Sequence, residues 1–157
     1  LGTGIVTTAM KFDKAESHEA EAAIRAMSTL NAGASAAGQA VGCRCATDIT
    51  GFGLVGHLYN VAKASKVRIR LSASALPLLP GVERLVRLGA LTGGAVKNAE
   101  FVGHRLSVAD SIPEWLRQVC LDPQTSGGLA LFCREQPSLG TEIGAVVPGE
   151  FGIEIVA

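Results

Sequence analysis

The sequence predicts an α+β fold, a layered mixed β-sheet covered by helices, as a single domain over residues 1–157. Three observations carry this. Strand-like and helix-like segments mix along the chain without strict alternation, unlike a uniform βαβ winding. Hydrophobic residues make up 48% of the chain and charged residues 18%, which supports a core and excludes disorder. Both periodicities are present. Val67-Arg68-Ile69-Arg70-Leu71 alternates apolar and cationic residues, as a strand with one wet face does. Ala20, Ala23, Ile24, Met27 and Leu30 recur instead at helical spacing.

The elements follow in order. Ile5, Val6, Thr7 and Thr8 are β-branched, so residues 1–12 read as a strand. Asp13-Lys14-Ala15-Glu16 has the form of a capping box opening the helix of Ala20 to Leu30, with Gly33 as its C-terminal cap. Ala34 to Val41 is a short helix of small residues. Arg44 to Ile49 reads as a buried strand that runs into Thr50-Gly51-Phe52-Gly53. A helix then places Leu54, Val55, Leu58 and Val61 on one face. After the Val67–Leu71 strand, Pro80 opens a helix with Val82, Leu85 and Val86 inward and Gly89 at its end. Leu91 to Asn98 reads as a Gly-Gly loop. Ser111-Ile112-Pro113-Glu114 is a second capping box, leading a helix with Trp115, Leu116 and Val119 on its apolar side. Leu129 to Cys133 is an unbroken apolar run, hence a strand buried on both faces. Ile143–Val147 and Ile153–Val156 are strands joined by a Pro148-Gly149 turn.

Composition narrows the function. Lys plus Arg and Asp plus Glu both number 14, and aromatic residues are 4%. There is no bulk positive field and no base-stacking surface, so no nucleic-acid partner is expected. No apolar run reaches the roughly 18 residues of a membrane span. The opening Leu1-Gly2-Thr3-Gly4 has neither an initiator Met nor a basic leader, as in a chain entered partway through. Cys43, Cys45, Cys120 and Cys133 lack zinc-ligand spacing and read as reduced thiols of a cytoplasmic protein.

Three glycine-bearing segments could carry chemistry. In Thr47-Asp48-Ile49-Thr50-Gly51-Phe52-Gly53-Leu54-Val55-Gly56-His57, a carboxylate ends a strand just before a helix N-terminus. Asp48 and Thr50 read either as helix caps or as a hard-cation ligand beside an anion cradle. One carboxylate does not make a magnesium site, so Asp48 needs partners from elsewhere. Asp122-Pro123-Gln124-Thr125-Ser126-Gly127-Gly128 reads either as a polar turn or as a hydroxyl-bearing loop that lets backbone approach a ligand. Gly93-Gly94 to Asn98 is either a plain loop or a weak anion cradle. His57 reads as a packed, satisfied histidine. Bare G-x-G-x-x-G spacing at Gly51–Gly56 lacks the acidic residue that dinucleotide binding needs.

Taken together, Leu1–Ile5, Thr47–His57, Gly93–Asn98 and Asp122–Gly128 resemble the selenophosphate synthetases, and the resemblance covers only the C-terminal half of that enzyme. It implies an enzyme that makes selenophosphate, AMP and orthophosphate from selenide, ATP and water. It also implies magnesium, ATP as substrate, and a homodimer built mainly through N-terminal ATP-binding domains. By resemblance Asp48 matches the C-terminal magnesium ligand. Thr47, Thr50, Gly51 and Gly53 would line the nucleotide site, with Gln124, Thr125, Ser126 and Gly127 on the wall of the cleft. The family's reactive Cys or selenocysteine and its partner Lys lie outside these residues, so no catalytic residue is assigned and this piece alone is expected to be inactive. The alternatives are a related superfamily enzyme with another acceptor, or a non-enzymatic scaffold. In one departure, only Arg134 to Glu142, with Pro137 and Gly140, stands where relatives carry a helix.

Overall fold

In the computed structural model, which describes residues 1–157, the chain runs α1 (Thr3–Lys11), α2 (Ser17–Ser28), α3 (Ala32–Ala40), β1 (Cys45–Asp48), α4 (Gly53–Ser65), β2 (Arg68–Ser72), α5 (Val82–Arg87), α6 (Gly93–Val102), β3 (Leu106–Val108), α7 (Glu114–Leu121), β4 (Leu129–Phe132), β5 (Gly144–Val147) and β6 (Gly152–Val156). Four strands form a mixed sheet in the order β3-β6-β2-β5. The β2–β6 and β3–β6 pairs are parallel and β2–β5 is antiparallel. β5 and β6 are consecutive yet not neighbours, because β2 lies between them.

Alternation in β2 sets the layers. Ile69 and Leu71 are buried with Ile153 and Ile155 of β6 against the helices. Arg70 stays on the wet face, where its Nε pairs with Glu154 at 2.9 Å. α4 packs on β6 and between α6 and α7. It buries Leu54, Val55, Leu58 and Ala62, while Tyr59 lies at the edge of the core. Each such Leu or Val side chain contributes about 1.5–3 kcal/mol by leaving water. Ile5, Val6 and Ala9 of α1 and Leu85 of α5 extend the same core. Helices thus cover one face of a mixed sheet, as the sequence predicts.

Several local expectations are corrected. The β-branched residues 1–12 form helix α1, not a strand. Their propensity, worth a few tenths of a kcal/mol per residue, is overridden by caps supplied from distant residues. Gln124 Oε1 accepts from Gly2 N–H at 2.9 Å and Thr3 N–H at 3.2 Å, and Asp122 Oδ2 accepts from Ile5 N–H at 3.1 Å. The first capping box lies three residues later than expected, between Glu16 and Glu19. Gly33 belongs to α3, and α2 ends at Thr29 instead. Leu91–Asn98 is not a loop, since Gly93 to Asn98 form the start of α6 behind Thr92. α7 begins after Pro113 without a side-chain cap, so the Ser111–Glu114 box is not made. β1 and β4 pair only with each other, as an antiparallel ribbon apart from the main sheet. They are therefore half-exposed, not buried on both faces. β3 escapes a periodicity reading at three residues.

One buried charge joins α2 to α5. The Glu19 carboxylate is 1% exposed, takes Arg84 Nη2 at 2.6 Å and accepts from Glu16 N–H at 2.8 Å. Gly81 permits this, because a Cβ there would meet Glu19 Oε1 at 1.6 Å. Burial alone would raise the Glu19 carboxyl, but its hydrogen bonds to Arg84 and the Glu16 backbone hold it below its ordinary value. A depressed folded-state value contributes stability above the unfolded value and loses it as pH falls through the folded one. Glu19→Gln is expected to be less stable than the parent at neutral pH. Urea denaturation should show the gap closing between about pH 7 and about pH 3.

Candidate functional site

The site starts where β1 ends. Asp48 is paired across the ribbon with Leu129, the first residue of β4, so the two long motifs leave the ribbon side by side. Ile49 N–H donates to Gly128 O at 2.9 Å, and Gln124 N–H donates to Thr50 O at 2.9 Å. Gly127 lies so close to the first motif that a Cβ would stand 2.0 Å from Ile49 O. Gly53 opens α4 at φ +67°, where a Cβ would stand 2.8 Å from Leu121 O, a position only glycine fills without strain.

Asp122 and Gln124 are the hub of this junction, and both are buried. Asp122 Oδ1 accepts from Thr92 Oγ1 at 3.1 Å, and Asp122 Oδ2 accepts from Ile5 N–H and from Gln124 Nε2. Gln124 Oε1 also accepts from Thr3 Oγ1, which in turn accepts from Thr125 N–H at 2.9 Å. From α6, Asn98 Nδ2 donates to Gly51 O at 3.1 Å and Leu121 O at 2.9 Å. All four segments that carry the resemblance therefore meet in one hydrogen-bonded knot. Sequence reading named these segments but missed what Thr3, Thr92 and Asn98 do. Asn98 and Thr92 stood inside or beside the Gly93-Gly94 motif, which was the available signal.

The expected site residues separate into two groups. Asp48, Gly51, Thr125 and Ser126 are exposed, and Thr47, Thr50 and Gly127 are half-buried. Gly53 and Gln124 are buried, and the Gln124 amide is occupied within the protein. The exposed rim thus presents one carboxylate, several hydroxyls and glycine backbone. His57 closes the first loop: its Nε2 lies 3.1 Å from Thr50 Oγ1 and accepts from Phe52 N–H at 3.4 Å. Burial lowers its pKa, against a smaller raising effect from Asp48, which favours the neutral, accepting ring.

No group of three or more His, Cys, Asp or Glu side chains is placed to hold a metal. Asp48 is a hard oxygen donor of the kind magnesium takes singly or in pairs, with phosphates and water completing the octahedron. The donor chemistry of Asp48 fits such an ion. A hollow of about 580 Å³ is lined by residues such as Leu78, Val82 and Trp115 and shares no lining residue with the two loops.

The hub also has an electrostatic consequence. Burial, opposed by its hydrogen bonds from Ile5, Thr92, Gln124 and Gly4, pushes the Asp122 carboxyl up to about 6 from an ordinary 3.8. A raised folded-state value means that the folded chain holds the extra proton between those two limits. This group's contribution to stability therefore falls as pH rises through the window and is level above it. The span is worth about 3 kcal/mol. Urea denaturation in steps across the window should show this slope in the parent, and Asp122→Asn should abolish it.

Comparison with known proteins follows the same lines. Residues 1–139 match the sequence profile of the family described as AIR synthase related protein, C-terminal domain. All 157 residues align at 37% identity with 44% of selenide, water dikinase from Escherichia coli (strain K12). The same figures hold for selenide, water dikinase from Shigella boydii serotype 4 (strain Sb227). Among solved structures, 99% of the chain superposes on 46% of thiamine monophosphate kinase from Aquifex aeolicus, with a TM-score of 0.58 and 21% identity. That likeness bears on the fold alone. The chain spans less than half the length of the curated relatives it matches.

Proposed function

The chain belongs to the AIR synthase related protein C-terminal domain family, and from that premise we propose that it is the C-terminal domain of an ATP-dependent synthetase making selenophosphate from selenide, ATP and water, with release of AMP and orthophosphate. The observation that carries this reading is the convergence of the four resembling segments on one knot whose rim ends in the exposed Asp48. The 37% identity across the whole chain to a selenide, water dikinase supplies the choice of acceptor.

On this reading the domain forms one wall of a cleft and an N-terminal ATP-binding domain forms the other. Asp48 would hold magnesium together with carboxylates of that domain, and the ion would neutralise charge on the transferring phosphoryl group. Phosphoryl transfer asks mainly for positioning and electrostatics, so a rim of oxygen donors needs no nucleophile of its own. The Thr47 and Thr50 hydroxyls and the Gly51 backbone, next to Asp48 in the chain, would orient phosphate oxygens. Thr125, Ser126 and Gly127 would line the cleft from the second loop, while Gly53 and Gln124 hold the backbone of that rim in place. The intact enzyme works as a cytoplasmic homodimer with neither a nucleic-acid nor a membrane partner.

Phosphorus NMR on the full-length protein tests the acceptor. ATP consumption that depends on selenide and yields selenophosphate and AMP is the expected result. Turnover with thiamine phosphate or an aminoimidazole precursor, and none with selenide, would show a different member of the superfamily. The 157 residues alone are expected to turn nothing over and to bind magnesium-ATP only weakly by calorimetry.

A further inference from the structure

Cys43 and Cys133, far apart in sequence, meet at the open end of the β1–β4 ribbon, just beyond the ladder pair Cys45↔Phe132. Cys43 Sγ lies 3.2 Å from Cys45 O and 3.5 Å from Phe132 O, the carbonyl that precedes Cys133 in the chain. That carbonyl contact brings Cys43 Sγ against the peptide that leads into Cys133. Both are half-buried and free, whereas Cys120 is buried. The backbone on either side has room to adjust. Gly42, just before Cys43, takes φ +68° with nothing within 4 Å of where its Cβ would stand. After Cys133, residues 134–142 are almost wholly exposed and form neither helix nor strand. A close approach of Cys43 to the Cys133 backbone, with open space beside Gly42, is what disulfide closure builds on.

From this juxtaposition we infer that Cys43 and Cys133 form a redox dithiol that closes to an intramolecular disulfide on exchange with a low-molecular-weight disulfide such as oxidised glutathione. The inference does not depend on the ATP chemistry proposed above. In the first step, the thiolate of one cysteine attacks a glutathione sulfur. A protein–glutathione disulfide forms, the glutathione S–S bond breaks and one glutathione leaves as thiolate. In the second step, the other cysteine's thiolate attacks the protein sulfur of that mixed disulfide, forming the Cys43–Cys133 bond and releasing the second glutathione. The two cysteines lose two protons and two electrons, and the glutathione disulfide becomes two thiols. The bond would fix the ribbon at the end opposite the Asp48↔Leu129 pair. Cys120 serves as an internal reference, since burial pushes its thiol up to about 12 and keeps it unreactive.

Full-length protein equilibrated with oxidised glutathione, then alkylated, digested and mapped by mass spectrometry, tests this. The expected product is one cross-linked peptide pair joining Cys43 to Cys133, lighter by two hydrogens, with Cys120 alkylated only after denaturation. Cys133→Ser removes the resolving thiol, so Cys43 should accumulate at least about tenfold more glutathione adduct than the parent does. Separate adducts on both cysteines of the parent, a Cys43–Cys45 link, or two free thiols where a reference dithiol is fully oxidised would each overturn the assignment.

Discussion

Asp48→Asn in the full-length protein is expected to lower selenide-dependent ATP consumption by a factor of about 10³ or more, the scale set by losing one preorganised electrostatic partner of a transferring group. The substitution is nearly isosteric, and the Asp48 side chain is exposed at the end of β1 with no ion pair of its own. Its removal leaves the β1–β4 register and the Asp122 hub intact, so the urea midpoint should correspond to a change within about 0.5 kcal/mol. On the proposed role, raising magnesium should recover part of the rate, because losing the carboxylate would weaken binding of the ion first. Parental turnover by the Asp48→Asn enzyme at low magnesium would refute the role given to Asp48.

The second large effect concerns folding. Gly4 sits in the first turn of α1, where an added Cβ would stand 2.4 Å from Pro123 O and 2.5 Å from Asp122 Oδ1. Neither atom has freedom to retreat. Pro123 O belongs to the backbone of the second loop, and the Asp122 carboxylate is held by Ile5, Thr92 and Gln124. Gly4→Ala must therefore push α1 off its caps or open the loop, and a loss of about 3 kcal/mol or more is expected. Gly128→Ala is the matched control in the same loop, since nothing lies within 4 Å of its would-be Cβ. That variant should stay within about 0.5 kcal/mol of the parent. Paired urea denaturation of the two variants measures the contrast, and equal midpoints would mean that α1 does not rest on the Asp122–Gly128 loop.

What sequence could show depended on where each element gets its support. β2 was legible because its alternation of Ile69 and Leu71 with Arg68 and Arg70 is a property of a few residues in a row. α4 was legible because Leu54, Val55 and Leu58 mark its buried face locally. α1 was not, because Asp122 and Gln124 supply its caps from the far end of the chain. α6 was hidden by Gly93-Gly94, a poor helix start on propensity that here gives Pro123 room, with a Gly94 Cβ only 2.4 Å from Pro123 Cγ. β4 looked like a core strand because Leu129 to Phe132 are all apolar, β1 looked buried too despite Thr47 and Asp48, and periodicity cannot say that a ribbon will have only two strands. The same limit applies to the site. Asp48 and the Asp122–Gly128 loop stood out by residue type, while the knot tying them to Thr3, Thr92 and Asn98 exists only in three dimensions.

The placing of β2 between β5 and β6 governs when the sheet can come into being. Both partners of β2, and the sole partner of β3, lie at or beyond Gly144. During synthesis Ile69 and Leu71 must wait, unpaired, until β5 and β6 have left the ribosome. Such distant pairings assemble slowly and leave adhesive edges in the interval. Chaperone demand and aggregation during biogenesis should therefore concentrate on this late-closing half of the molecule, leaving the locally nucleated α4 comparatively safe.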